Sequence, residues 1–108
     1  MIADINKVIM SGAISSEIRN ISKLDDKLWV AFQLAVTERF TVDAEPTTSL
    51  FDVIIFDKSN AEFAMKELKE RDIILIEGKL LIQTKKQKNG FDKQSTRIVN
   101  GFAQTIRL

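Results

Sequence analysis

The chain contains no cysteine, no histidine and no tyrosine, with one proline and four glycines in 108 residues. Without cysteine there is no disulfide framework, no thiolate nucleophile and no zinc finger. Without histidine the usual imidazole base and the commonest transition-metal ligand are missing too. Asp4, Asp25, Asp26 and Asp52 are scattered over separate elements, whereas metal-assisted hydrolysis of a phosphodiester needs clustered carboxylates. The expectation is a protein that is not an enzyme and holds no cofactor or metal. No apolar run approaches the roughly 20 residues that cross a bilayer, and MIADINK lacks a basic region followed by an apolar one. A soluble, unexported chain follows as an expectation, and its length suits one domain over residues 1–108.

What is present is an uneven distribution of charge. Sixteen basic residues nearly balance fifteen acidic ones over the whole chain. Between Lys79 and Arg97, however, Lys79, Lys85, Lys86, Lys88, Lys93 and Arg97 face Asp92 alone, which leaves the remainder of the chain net acidic. That asymmetry marks a local cation on a nearly neutral protein. The same stretch, IILIEGKLLIQTKKQKNGFDKQSTRIV, starts as an apolar β-branched run and then alternates. Its tip carries Asn89-Gly90, the pair suited to positive φ in a tight hairpin turn. Residues 73–99 therefore read as a long β-hairpin ending in a charged arm, with Glu77-Gly78 marking a bend.

Upstream, Asn6 to Ile14 reads as a first strand kinked at Gly12, continued by Glu17 to Ile21 in the other half of the bend. Asp25-Asp26 is a turn. Leu28 to Phe40 alternates cleanly, with Leu28, Val30, Phe32, Leu34 and Val36 on the core face. Thr41 to Thr48, which contains the only proline, reads as a surface loop. Ser49 to Phe56 forms a third strand with Phe51, Val53 and Ile55 inward and Leu50, Asp52, Ile54 and Phe56 outward. Ser59-Asn60-Ala61-Glu62 has the form of a capping box, and Ala61, Ala64, Met65 and Leu68 recur at helical spacing, so a helix should run to about Glu70. Three strands, one helix and two strands is the order of an all-β, five-stranded OB-fold barrel with one α-helix between strands 3 and 4. A small α+β sandwich shares the order, but two glycine-marked bends favour strands that wrap.

Four blocks in register carry a family likeness: Asn6-Lys7-Val8-Ile9 with Gly12, Ala31 to Phe40, Val53 to Lys58, and Ile76-Glu77-Gly78-Lys79-Leu80. Together with the Asn-Gly hairpin, the chain resembles the bacterial single-stranded DNA-binding proteins. The resemblance implies an OB-fold that binds single-stranded DNA without strong sequence preference, in DNA replication, recombination or repair. It also implies a dimer or a tetramer built from two dimers, and a cytoplasmic, nucleoid-associated location. The family's stacking platforms fall here on Phe40, Leu50, Phe56 and Lys85, two of which are not aromatic. Stacking is worth ~1–3 kcal/mol per base, so the loss should weaken binding or shift it toward electrostatics, with Lys85 contacting phosphate instead. The family's acidic tail, which recruits replication proteins, has no counterpart before Leu108. Its Phe-Gly-Lys is Phe56-Asp57-Lys58 here.

The charge for a phosphate-tracking groove would come from Lys7, Arg39, Lys58, Lys79, Lys85, Lys86, Lys88, Lys93 and Arg97. The same lysines would serve equally to protect a sheet edge from aggregation. Phe56 and Phe40 each admit a core and a stacking role, and Phe91 could stack a base or cap the hairpin turn. Phe32, Phe51 and Phe63 are assigned to the core, and Trp29 to an interface or a partly covered sheet face. Apolar positions at both ends, Ile5, Ile9, Phe102, Ile106 and Leu108, exceed what one small barrel needs inside and point to burial between subunits. A protein-interaction module of a primosome or replication complex, with weak DNA binding, is the alternative.

Overall fold

The computed structural model describes residues 4–86, 88, 90 and 92–106. In chain order the elements are β1 (Val8–Ile14), β2 (Arg19–Asn20), β3 (Val30–Glu38), β4 (Thr47–Ile55), α1 (Lys58–Glu67), β5 (Ile73–Lys86) and β6 (Asp92–Thr105). β1 and β2 are the two halves of the bent first strand, so the expected five strands appear, with the helix between the third and fourth. The sheet order β1-β5-β6-β4-β3-β2 closes on itself because β1 also pairs with β3. All neighbours are antiparallel except β4 and β6, which run parallel.

Closure depends on one glycine. Along β1, Val8 to Ala13 pairs with β5, and Ala13 and Ile14 pair with Ala35 and Leu34 of β3. At the changeover a Cβ on Gly12 would stand 2.4 Å from the carbonyl oxygen of Ala35. The two backbones meet at a distance that only a residue without a side chain permits. The second expected bend also appears: the β5–β6 register shifts between Glu77 and Lys79, with one extra residue on β6.

Alternation sorts each strand into an inner and an outer row. Val30, Leu34, Val53, Ile55, Ile74, Ile76 and Ile98 are fully enclosed, and Phe32 nearly so. Ala61, Ala64 and Leu68 of α1 join this cluster, with Phe51 and Phe63 packed against it from its margin. Met65, grouped with them by spacing, is exposed.

The helix begins two residues before the expected capping box. Asp57 is the N-cap: its carboxylate accepts from the Asn60 backbone N–H at 3.1 Å. Ser59 lies inside the first turn instead, and the helix ends at Glu67, with the Leu68 N–H still bonded to the Ala64 carbonyl. α1 has no acid in its first turn, so the Asp57 charge is what faces the helix's positive end. This explains the carboxylate where the resembling family has glycine. The turn into β5 places Arg71 at φ 81° and ties it to β1 through the Arg71 N–H to Ile14 carbonyl bond.

Candidate nucleic-acid interface

The outer row of β3 reads Ala31, Gln33, Ala35, Thr37, and that of β4 reads Ile54, Asp52, Leu50, Thr48, paired in that order. Arg97 of β6 stands beside Asp52 and opposite Leu81 of β5. Just beyond the ends of β3 and β4, Trp29 and Phe56 meet edge to face, with ring centroids 5.5 Å apart and planes at 82°. Phe56 and Leu50 are six residues apart on one outer row, which at the strand rise amounts to roughly 20 Å. Between these ends lies a groove of about 380 Å³ lined by Arg19, Ala31, Gln33, Asp52, Ile54 and Arg97, among others.

Apolar side chains toward both ends of this face are open, whereas Ile54, expected outward from its phase, is buried at 7% exposure. Phe56 is 41% exposed, Leu50 57% and Phe40 72%. Phe40 follows the end of β3, because pairing stops at Glu38–Thr47; its place in the inner phase therefore does not bury it. Arg39 beside it is exposed as well. Since β4 and β6 run parallel with Asp52 against Arg97, the part of β6 before Arg97 heads toward the Leu50 and Thr48 end. There β5 and β6 continue as a ribbon paired from Leu81–Arg97 to Lys86–Asp92, leaving the barrel. Lys79, Lys86 and Lys88 are exposed, and Gly90 takes φ +85°, the positive value expected at the tip. Ile82, in phase with the core, is 57% exposed because no inner layer accompanies the ribbon. Lys85 and Lys93 are paired by their backbones across it, and Phe91 lies outside the described residues.

The candidates therefore divide. Phe40, Arg39, Leu50 and the arm gather at one end of the groove, Arg97 stands at its middle, and Phe56 and exposed Lys58 sit at the other end. Lys7 is not with them. Its ammonium is 2.8 Å from Glu77 on the β1–β5 side, separated from β4 by β5 and β6. The hydrogen bond that the ammonium donates to Glu77, and then the negative charge of that carboxylate, raise the Lys7 pKa above its ordinary value. Asn6 helps hold this segment: its side chain both donates to the Leu80 carbonyl and accepts from the Leu80 N–H, as another strand residue would.

Three groove residues escaped the sequence reading: Arg19, Gln33 and Asp52. Alternation does put Gln33 and Asp52 on outer rows. What no single-strand pattern supplies is the register that sets them side by side, or the short β2 that brings Arg19 against Ala31.

Solved structures share this architecture. A Plasmodium falciparum single-stranded DNA-binding protein, solved in complex with single-stranded DNA, matches with a TM-score of 0.86 at 19% identity, covering 99% of both chains. A mitochondrial single-stranded DNA-binding protein of Saccharomyces cerevisiae matches at 0.75 and 13% identity, covering 97% of this chain and 98% of that one. A small single-stranded DNA-binding protein from Streptomyces coelicolor matches at 0.66 and 23% identity, covering 94% and 89%. The sequence itself matches the model of the single-strand binding protein family over residues 5–106, and with nearly its whole length spanned, this chain belongs to that family.

Proposed function

We propose that this chain binds single-stranded DNA along the outer face of β3, β4 and β6, with Phe40, Leu50 and Phe56 offering surfaces to bases and Arg39, Lys58, Lys79, Lys86, Lys88 and Arg97 attending to phosphates. Lys85, Phe91 and Lys93 complete this set in the arm, and the setting is replication, recombination or repair. The observation that carries the reading is one open face: exposed Leu50 and Phe56 lie on one outer row flanked by Arg97 and the root of the cationic arm, with exposed Phe40 just past the end of the neighbouring β3. Unpaired strands need both parts, because π-faces hold any base while cations follow the backbone. Lys7 contributes less than the others, since Glu77 already holds its ammonium.

Association of like chains belongs to the same reading. From Val8 to Gly12, β1 is paired only with β5, and Ile5 and Ile9 beside that edge are 91% and 60% exposed. An open strand edge with apolar flanks is relieved by a second copy of itself about a two-fold axis. Fluorescence anisotropy of labelled oligo-dT at several salt concentrations tests the DNA reading. Affinity should fall steeply as salt rises, as counterion release requires, while Trp29 fluorescence changes through its contact with Phe56. Salt-independent or absent binding would remove the reading.

A further inference from the structure

The groove holds an acid where a phosphate-tracking surface has no use for one. Asp52 projects from the middle of it, between Gln33 of β3 and Arg97 of β6. Among the described residues, no ion pair or side-chain hydrogen bond engages its carboxylate. Gln33 spends its backbone groups on the other side, accepting from the Ser15 N–H and donating to the Ser16 hydroxyl. Its pair with Asp52 is therefore of the non-hydrogen-bonded kind, in which facing side chains approach most closely. The Ser15 hydroxyl lies 3.4 Å from Gln33 Oε1, which leaves the amide N–H groups for the groove.

We infer that Asp52, flanked by Gln33 and Arg97, forms a base-reading position in the groove that selects guanine. The inference rests on the reading that single-stranded DNA lies on this face. An ionised carboxylate only accepts hydrogen bonds, through two oxygens. Guanine is the one base whose Watson–Crick edge offers two adjacent donors, N1–H and the N2 amino group, and its neighbouring O6 accepts. The Asp52 carboxylate takes the two donors, and the Arg97 guanidinium donates to O6. Cytosine and adenine each offer a single amino donor. Thymine offers N3–H between two carbonyl oxygens, which the carboxylate repels. In an unpaired strand this edge is free to be read. The result is a modest preference at one nucleotide, superimposed on binding that elsewhere tolerates any base.

The test is competition of short oligonucleotides against labelled oligo-dT: oligo-dT itself, and the same strand with one central dG, dC, dA or deoxyinosine, or with 7-deaza-dG. The dG strand should bind roughly fivefold tighter than oligo-dT, the lower end of what a bidentate base contact contributes. Deoxyinosine, which lacks the N2 amino group, should lose most of that advantage, and 7-deaza-dG, whose Watson–Crick edge is intact, should keep it. Asp52→Asn should bring the dG to dT ratio close to one, a ratio in which any general change in affinity for the strand cancels. An unchanged ratio in Asp52→Asn, or no dG advantage in the parent protein, overturns the inference and leaves single-stranded DNA binding standing. Loss of the advantage with 7-deaza-dG and not with deoxyinosine overturns it in favour of Arg97 reading the N7 edge. Failure of oligo-dT itself to bind would instead overturn the reading of the face.

Discussion

The two halves of β5 have opposite fates. From Ile73 to Gly78 the strand is flanked by β1 and β6, and its inward residues Ile74 and Ile76 are fully enclosed. From Lys79 to Lys86 it has β6 alone, and Ile82, still in the inner phase, is exposed. One continuous strand thus serves first as barrel wall and then as free arm, and the register shift after Glu77 marks the passage. Apolar burial stabilises the first half at ~1.5–3 kcal/mol for each large side chain. The second half has no such support, and its sequence turns from isoleucine to lysine where burial ends. Substitutions in the wall should therefore act on folding, and those on the arm and outer face on binding.

The largest effect should come from the wall. Gly12→Ala would push a methyl group to 2.4 Å from the Ala35 carbonyl oxygen, which is backbone and cannot swing aside. Overpacking costs typically ~1–3 kcal/mol and more where strands must part, so chemical denaturation should show a loss of about 3 kcal/mol. A variant as stable as the parent would mean that β1 and β3 do not close the barrel there.

Next comes Phe56→Ala on the outer face. Loss of a stacking surface should weaken oligo-dT binding by ~1–3 kcal/mol. Because Phe56 is 41% exposed, the melting temperature should move much less than for Gly12→Ala. Trp29 loses its edge-to-face partner, so its emission should change in the free protein too. A severe loss of stability with no separable change in affinity would place Phe56 with the wall.

The smallest of these concerns Asp57, which belongs to the body although it sits beside the groove. Asp57→Ala removes the cap on the Asn60 N–H and should cost about 1 kcal/mol of stability. Asp57→Gly should cost only a few tenths and bind oligo-dT no more weakly than the parent. A marked change in affinity with unchanged stability would transfer Asp57 to the interface.

Much of this was legible in one dimension. The clean alternation of Val30 to Val36 marked which side chains face inward, and the two glycine-marked bends fall where the barrel closes and where the register shifts; in β4 the alternation misled at Ile54, expected outward yet only 7% exposed. The helix start was displaced because Asp57 and Ser59 both favour caps and lie two residues apart; local preference alone does not rank them. The exposure of Phe40 was left open by its sequence, since its phase says inward and its place at the strand end beside Glu38 and Arg39 says outward; the end of β3 pairing at Glu38 is what lifts it clear. The groove was hidden for a further reason. Gln33, Asp52 and Arg97 come from three strands, and their meeting depends on cross-strand register, which a pattern within one strand does not encode.

The separation of wall from arm is tested most directly by Lys86→Glu combined with Lys88→Glu, measured for oligo-dT affinity across a salt series and for thermal unfolding. Both side chains are exposed and beyond the barrel, so the melting temperature should stay within a degree or two while affinity drops sharply. The slope of log affinity against log salt should flatten by about two, near one for each lost phosphate contact. An unchanged affinity and slope would contradict the account, leaving the arm a solvated edge with no part in holding DNA.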